Sequence, residues 1–515
     1  MPPGKILIKD IRDWHPHAIP SPTDQYYHHL ANRLLKTFNA LNLPDDMEID
    51  DVTRGAAIML TNYFEDIVAD CGVWHSFSQL CQEMYGHPVP LFHDEEEYFP
   101  DEPSCDAVKF IIWTVFGELT DDIICPDSHI LDIMTAAAFA ILDAAFEEAP
   151  VNLQLKESIE TMLKDAAEEF YQMRSALGWI FMKSYLTRET SRQDLFAEAV
   201  EEFQQLADET EFGDIPYDMA LYYATSICSV RYRTGHLALY PKDYLAAIMR
   251  TKDMPQPAAR VAAIEALSPA MYKKENTSRL FTLKRNRAGA ERLRLRRADG
   301  RLIEIDSETL NLPEENTEDL NVFFVPSFVS YHGEWNLNGI VMPLAATEKQ
   351  WEESCKEHPK SPKPGQKTFT ADMMLKCTGG KRLLFFADKK ELKDFLAEKM
   401  RFKRETLDFI GTEYDNRPAL FIDTEEPEDC LQMFYGYTQC IAEPTNPYYD
   451  KDEARHAADE ILYAEGITAN AVNYMLDHNL LPDIYDSGIL PQNSTPEEKR
   501  KDIDFLMRFY RRENF

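Results

Sequence analysis

Length, composition and charge set the first limits on this protein. The chain has 515 residues, of which 44% are hydrophobic and 28% charged, a composition typical of a folded globular protein and not of a disordered chain. At roughly 150 residues per domain, this length predicts about three domains. The formal net charge of −35 at pH 7 disfavours nucleic acid or anionic lipid as a partner of the whole surface.

Three features predict a cytoplasmic protein with no membrane partner. Residues 1–9 contain one apolar run of three residues, far short of the apolar region of a signal peptide. We expect no membrane-spanning stretch, since none approaches the roughly 18 apolar residues that cross a bilayer. The nine cysteines are odd in number and never spaced C-x-x-C, which indicates reduced and mostly buried thiols.

Residues 22–272 repeat apolar side chains with the 3.6-residue period of amphipathic helices. The first stripe consists of Tyr26, Tyr27, Leu30, Leu34, Phe38 and Leu41. Further helices are predicted at 105–119, 128–149, 152–183, 190–210, 216–250 and 256–272, with prolines marking the joints. Because no fixed helical repeat is evident, the pattern predicts an irregular all-α bundle that forms a domain over 1–276.

Near residue 278 the hydrophobic period changes from 3.6 to 2, which indicates strands. Residues 292–306 predict a hairpin, and a three-residue loop ending at Gly300 would place Leu295 opposite Ile303. A second hairpin is predicted at 322–341, with the turn at 331–333 and Val329 facing Trp335. These short strands predict a small antiparallel β-barrel of SH3-like size over 277–345.

The remaining sequence predicts a helix and a Pro/Lys-rich linker over 346–367, followed by a mixed α/β region over 368–515. Short buried strands are expected at 383–387 and 419–422, and helices at 389–403, 452–464, 468–479 and 496–512. The predicted fold class is therefore multidomain α+β.

The common enzyme signatures are absent from the sequence: there is no P-loop, G-x-G-x-x-G, H-E-x-x-H, G-x-S-x-G or EF-hand pattern. A nuclease-like set of carboxylates with a lysine is rejected, because Thr495 and Pro496 look like a helix start and not a strand. The residues of that set would be Asp483, Glu497, Glu498 and Lys499. We assign no catalytic residue.

Histidines and carboxylates cluster in two places without a specific metal-binding spacing. The first set is Glu83, His87, His93 and Asp94; the second is His15, His17, His28 and His29. Prolines and an acidic run around the first set favour a solvated turn, and the tyrosine neighbours of the second favour a packed loop. We expect no metal and no cofactor.

One segment, 273–301, reverses the charge of the chain with eleven basic and three acidic residues. The candidate binding residues are Arg292, Arg294, Arg296, Arg297 and the aromatic Trp335. A single-stranded or double-stranded nucleic acid is one possible partner. The hairpin register, however, places Arg294 opposite Glu304 and Arg292 opposite Asp306, which neutralises part of the face. An acidic surface of a protein partner or of this chain is therefore the favoured alternative, and a plain solvated face is the third.

Several short segments resemble a bacterial family catalogued only as a domain of unknown function. They are Ile8–Asp10 with Trp14 and Pro16, Thr23–Tyr27, Thr61–Asp66, Trp74 with Phe77, Tyr85–Pro90, Gly333–Trp335 with Asn338 and Gly339, and Asn446–Tyr449. The resemblance implies a cytoplasmic bacterial protein. It brings no known reaction, cofactor or catalytic residue.

These observations favour a non-enzymatic cytoplasmic protein that binds another macromolecule. The rival predictions are a nucleic-acid-binding protein that uses the basic segment 273–301 and an enzyme with an unfamiliar active site. A deep pocket with converging polar groups would favour the enzyme, and shallow surfaces would favour binding.

Overall fold

A computed structural model gives the fold of the chain as a mixed α+β protein. The described residues are 5–17, 19–41, 43, 49–93, 97–120, 124–188, 197, 199–201, 216–268, 270–275, 292–306, 322–325, 327–339, 348–357, 370–425, 430–464 and 466–511. The predicted mixture of helices and strands is confirmed. The helix predicted within 346–367 is present at Glu348–Glu357, whereas the Pro/Lys-rich residues 358–367 lie outside the described part of the chain.

The N-terminal region packs its helices around one core that contains the buried Trp14, Trp74 and Trp113. The helices are α1 (Ile8–Arg12), α2 (Asp24–Phe38), α3 (Ile49–Ala69), α4 (Val73–Tyr85), α5 (Cys105–Leu119), α6 (His129–Phe146), α7 (Leu153–Glu168), α8 (Phe170–Met182), α9 (Tyr217–Arg231), α10 (Pro241–Thr251) and α11 (Pro255–Ala262). The predicted helix 152–183 is two helices, because the backbone at Glu169 is extended.

One helix corrects the expectation about membrane-spanning stretches. Helix α6 is long and apolar enough to cross a membrane by length and composition, with a mean hydropathy of 1.6 over 18 residues. A core helix satisfies the same criterion, and Leu131, Met134, Ala138 and Leu142 of α6 are buried in the core. Since 39% of this window is buried, one such helix is weak evidence for a membrane.

A seven-stranded sheet follows the helices. Its strands are β1 (Glu265–Leu267), β2 (Ala270–Lys274), β3 (Arg292–Arg297), β4 (Leu302–Asp306), β5 (Val322–Val325), β6 (Phe328–Tyr331) and β7 (Glu334–Leu337), in the spatial order β1-β6-β7-β4-β3-β2-β5. The sheet is mixed, since β4 and β7 pair in parallel at Ile305 and Trp335, so the expected purely antiparallel pairing is wrong there. The predicted helix 256–272 is also wrong beyond Ala262, because pairing of β1 with β6 and of β2 with β5 overrides the local pattern.

The two hairpins differ in how well their registers were predicted. In the first, Leu295 pairs with Ile303, and Gly300 has a φ of +94°, as predicted. In the second, His332 and Gly333 form a two-residue turn with φ of +53° and +76°. The shorter turn shifts the register by one residue, so Val329 faces Asn336 and not Trp335.

The C-terminal region contains a three-stranded antiparallel sheet, in which Ala419–Ile422 is the central strand between Leu383–Phe385 and Leu431–Phe434. Its elements, after α12 (Glu348–Glu357), are α13 (Ala371–Cys377), β8 (Leu383–Phe385), α14 (Lys389–Glu398), β9 (Ala419–Ile422), β10 (Leu431–Phe434), α15 (Lys451–Ala457), α16 (Ala469–Asp477) and α17 (Pro496–Tyr510). Helix α17 packs on the N-terminal core, where the ring centroids of Phe505 and Phe509 lie 5.9 and 4.9 Å from that of Trp113. The C-terminal region thus completes a core that begins near the start of the chain.

Candidate interaction surface

The predicted site begins on β3, where apolar and basic side chains alternate. Leu295 is fully buried and points into the small core of the sheet with Ile303 and Ile305. Because side chains alternate along a strand, Arg294 and Arg296 lie on the opposite, outer face. Arg292 lies on the same strand in register with Asp306, but its side chain falls outside the described part of the structure.

Both outer-face arginines form ion pairs within the sheet. Arg294 donates from Nη2 and Nε to one carboxylate oxygen of Glu304, at 2.8 and 3.2 Å. Arg296 donates from Nε to a carboxylate oxygen of Glu275 at 2.7 Å. The expected opposition of Arg294 and Glu304 is thus present as a direct contact, and neither arginine presents an unpaired charge.

Arg297 has a different position from the other predicted residues. Its side chain is only 11% exposed and pairs with Asp299 in the adjoining turn. Its Nη2 donates to the backbone carbonyl of Ser268 at 3.2 Å. Arg297 therefore connects the first hairpin to the end of β1, and this contact leaves little of the guanidinium for a partner.

Trp335 lies half-buried on β7 and packs against the small core of the sheet. The guanidinium carbon of Arg301 stands 5.2 Å from its ring centroid, a cation–π contact, and Arg301 pairs with Glu265 at 2.6 Å. Arg301 was not among the predicted site residues. Only its place after the Asp-Gly turn could have indicated it, since Glu265 and Trp335 are distant in sequence.

The charge balance of the described sheet differs from that of segment 273–301. The described residues between 265 and 339 contain seven lysines and arginines and six aspartates and glutamates. Four of the eleven basic residues in 273–301 lie between 276 and 291, outside the described part. The described residues of this region are therefore close to electrical neutrality as a set.

The histidines considered for metal binding have other partners. His87 and His93 stack with centroids 4.2 Å apart, and their Nε2 atoms lie 3.7 Å from Glu498 and 3.8 Å from Asp502. Burial raises the pKa of the Asp502 carboxyl, and the adjacent His93 offsets part of this rise. Within the described ranges, no group of three or more His, Cys, Asp or Glu side chains is arranged to hold a metal ion.

Two neighbouring carboxylates in segment 61–66 form buried contacts that the sequence did not indicate. Glu65 contacts His15 Nε2 at 3.0 Å and accepts from Asn152 Nδ2 at 2.8 Å. Asp66 accepts from the backbone N–H of Trp74 at 2.6 Å, next to the start of α4. Burial raises the pKa of Asp66 to about 6. These residues hold helices together, so this part of the resemblance has a structural explanation.

The comparisons with known proteins agree with the resemblance in the sequence. A family model described as a protein of unknown function (DUF3843) matches residues 5–297 and 346–512. The unmatched interval holds β4 to β7, including the Gly333–Trp335 segment. No curated protein and no solved structure shows significant similarity to the chain. Since the two matched segments cover most of the sequence, the chain belongs to the DUF3843 family of unknown function.

Proposed function

We propose that this protein is a non-enzymatic cytoplasmic interaction protein that binds another protein through the outer face of the seven-stranded sheet. The observation that supports this proposal is the pairing of Arg294 with Glu304 and of Arg296 with Glu275. Such a face complements a partner surface that also carries both positive and negative side chains. Each charged side chain of the interface then has an opposite charge beside it, so binding buries no unpaired charge.

A nucleic acid fits this face less well. A phosphate that approached Arg294 would have to compete with Glu304, and one that approached Arg296 would meet Glu275. At 0.15 M salt charges act over about 8 Å, so the neighbouring carboxylates weaken any local attraction. The net charge of −35 further opposes a long polyanion that extends beyond the sheet.

We also propose that the seven strands close into a small barrel. β2 starts three residues after β1 ends, and β6 starts three residues after β5 ends, while β1 pairs with β6 and β2 with β5. Segments 265–274 and 322–331 then count as two bent strands that pair along both halves. This gives five strands in a ring, of which only β4 and β7 are parallel neighbours.

This strand order favours nucleic-acid binding as a second candidate. Five-stranded Greek-key barrels of the oligonucleotide- and oligosaccharide-binding type place ligands on their second and third strands and adjoining loops. In the proposed barrel those strands are β3 and β4, which form the arginine hairpin. A shared fold does not imply a shared ligand, whereas the paired charges lie on this face itself, so a protein partner remains the first candidate.

The test uses the full chain, because a fragment starting at 273 would lack β1 and most of β2. We expect no binding of labelled single- or double-stranded nucleic acid at 0.15 M salt. A protein captured from the native host should be retained by wild type and lost from the double variant Arg294→Gln, Arg296→Gln. Lys399→Gln, an exposed cation in the C-terminal region, is the matched control and should retain it. Tight nucleic-acid binding that the double variant abolishes would replace this proposal with the second candidate.

A further inference from the structure

A groove of about 400 Å³ lies between α8 and α9 and is lined by none of the strand residues of the sheet. Trp179, Met182 and Leu221 give it apolar walls, and Tyr222, 43% exposed, also lines it. This volume is in the range of small-molecule sites, which are mostly apolar with a few placed polar groups.

The buried charged group of this groove is Arg174, which is only 8% exposed. Its guanidinium carbon lies 4.7 Å from the ring centroid of Tyr222 and 5.1 Å from that of Tyr171. Nη2 donates to the Tyr222 hydroxyl, while Nη1 is buried without a hydrogen-bond partner. Within the described ranges Arg174 forms no ion pair with a carboxylate.

Arg511, another buried arginine, differs from Arg174 in having several backbone acceptors. Its guanidinium donates to the backbone carbonyls of Ile461, Ala464 and Ile467. Ser175 and Ser226 also line the groove, and each donates its hydroxyl to a carbonyl of its own helix, but neither accepts a hydrogen bond from Arg174 Nη1. A permanently charged group that is buried without an anion is unfavourable, and a bound anion would relieve that cost.

We propose that this groove binds an amphipathic organic anion, with its carboxylate or phosphate on Arg174 and its apolar part against Trp179 and Met182. The guanidinium lies within 5.1 Å of both tyrosine ring centroids, and its planar fork of N–H groups suits two parallel hydrogen bonds to such a head group. Lys183, exposed on the groove, adds attraction for a negative charge without occupying Arg174.

The test measures binding of three probes with the same chain to the full-length protein: decanoate, decyl phosphate and decanol. Calorimetry reports binding, and so does a change in the tryptophan fluorescence of the protein, to which Trp179 of the groove contributes. We expect one or both anions to bind and decanol to bind at least tenfold more weakly, since the head group supplies the hydrogen-bonded charge pair. The tighter of the two anions identifies the head group as a carboxylate or a phosphate.

Three variants separate the proposed site from a nonspecific apolar surface. Arg174→Met should weaken anion binding by roughly tenfold to a hundredfold, the value of one charge-assisted pair. Leu221→Trp fills the groove and should weaken binding while Arg174 stays in place. Arg231 lies on α9, as Leu221 does, but it lines a neighbouring cavity and not this groove. Arg231→Met should therefore bind the anions as wild type does.

Several outcomes would overturn the proposal. They are equal binding of decanol and decanoate, no binding of either anion, or unchanged binding in Arg174→Met. In those cases the two tyrosine rings alone stabilise the guanidinium. If Arg174→Met fails to fold, Arg174→Lys and Leu221→Trp decide the question, because both keep a cation in the groove. None of these results depends on the partner of the sheet.

Discussion

Asn152 uses both ends of its side-chain amide, and replacing it should measurably destabilise the helical region. Its Oδ1 accepts from the backbone N–H of Leu155 at 3.1 Å and caps α7. Its Nδ2 donates to Glu65 Oε1 at 2.8 Å, and Glu65 also contacts His15. The side chains of Asn152, Glu65 and His15 are all buried. Asn152→Ala should lose about 1 kcal/mol for the cap and about 1–3 kcal/mol for the carboxylate oxygen left without a donor.

The assay is thermal and denaturant-induced unfolding followed by tryptophan fluorescence. A loss of about 2–4 kcal/mol should lower the melting temperature by roughly 5–15 °C for a domain of this size. Asn152→Ser keeps an oxygen that can cap α7 but cannot reach Glu65, so it should lose only the second contribution. A double-mutant cycle with Glu65→Gln should give a coupling energy of about 1 kcal/mol or more. If Asn152→Ala unfolds within about 0.5 kcal/mol of wild type, the reasoning about this buried cluster is wrong.

Three further predictions test other parts of the fold. Burial raises the pKa of Asp66 from 3.8 to about 6, so its contribution to stability is fully present below pH 3.8 and is lost as the pH rises through 6. Unfolding free energies measured from pH 4 to 7 should therefore fall by up to about 3 kcal/mol more in wild type than in Asp66→Asn; parallel profiles would contradict this. Gly117→Ala should cost about 1–3 kcal/mol, because its Cβ would lie 2.7 Å from the ring of Phe509, and Phe509→Leu should reduce that cost. Gly300→Ala should cost about 1–2 kcal/mol in chemical denaturation through backbone strain alone, since open space surrounds the added carbon, whereas Gly466→Ala should change stability by less than about 0.5 kcal/mol.

The first hairpin was predictable because its determinants are local. Alternation of leucines and arginines fixes which face is buried, and the position of Gly300 fixes the loop length, so the pairing of Leu295 with Ile303 followed directly. In the second hairpin, an error of one residue in the predicted turn length changed the predicted pairing. The turn has two residues and not three, so Trp335 pairs with Ser330 and not with Val329.

Other features depend on contacts between distant residues, which a single sequence does not contain. Strand β2 follows a helix-like pattern, and only its pairing with β3 and β5 makes it a strand. The partner of Arg301 is set by β1, which brings Glu265 to it. The burial of Arg174 likewise depends on α9, because its own helix gives no sign that the guanidinium is enclosed.

The packing of α17 on α5 has a consequence for synthesis of the chain. Trp113 and Phe110 are covered in part by Phe505, almost 400 residues later in the sequence. At about 5–20 residues per second, a ribosome needs roughly 20–80 s to reach Phe505 after making Trp113. During that interval the aromatic surface of α5 lacks its native cover and is open to other apolar chains. Folding of the N-terminal helices while the chain is still being made should therefore depend on chaperones that shield this surface until α17 arrives.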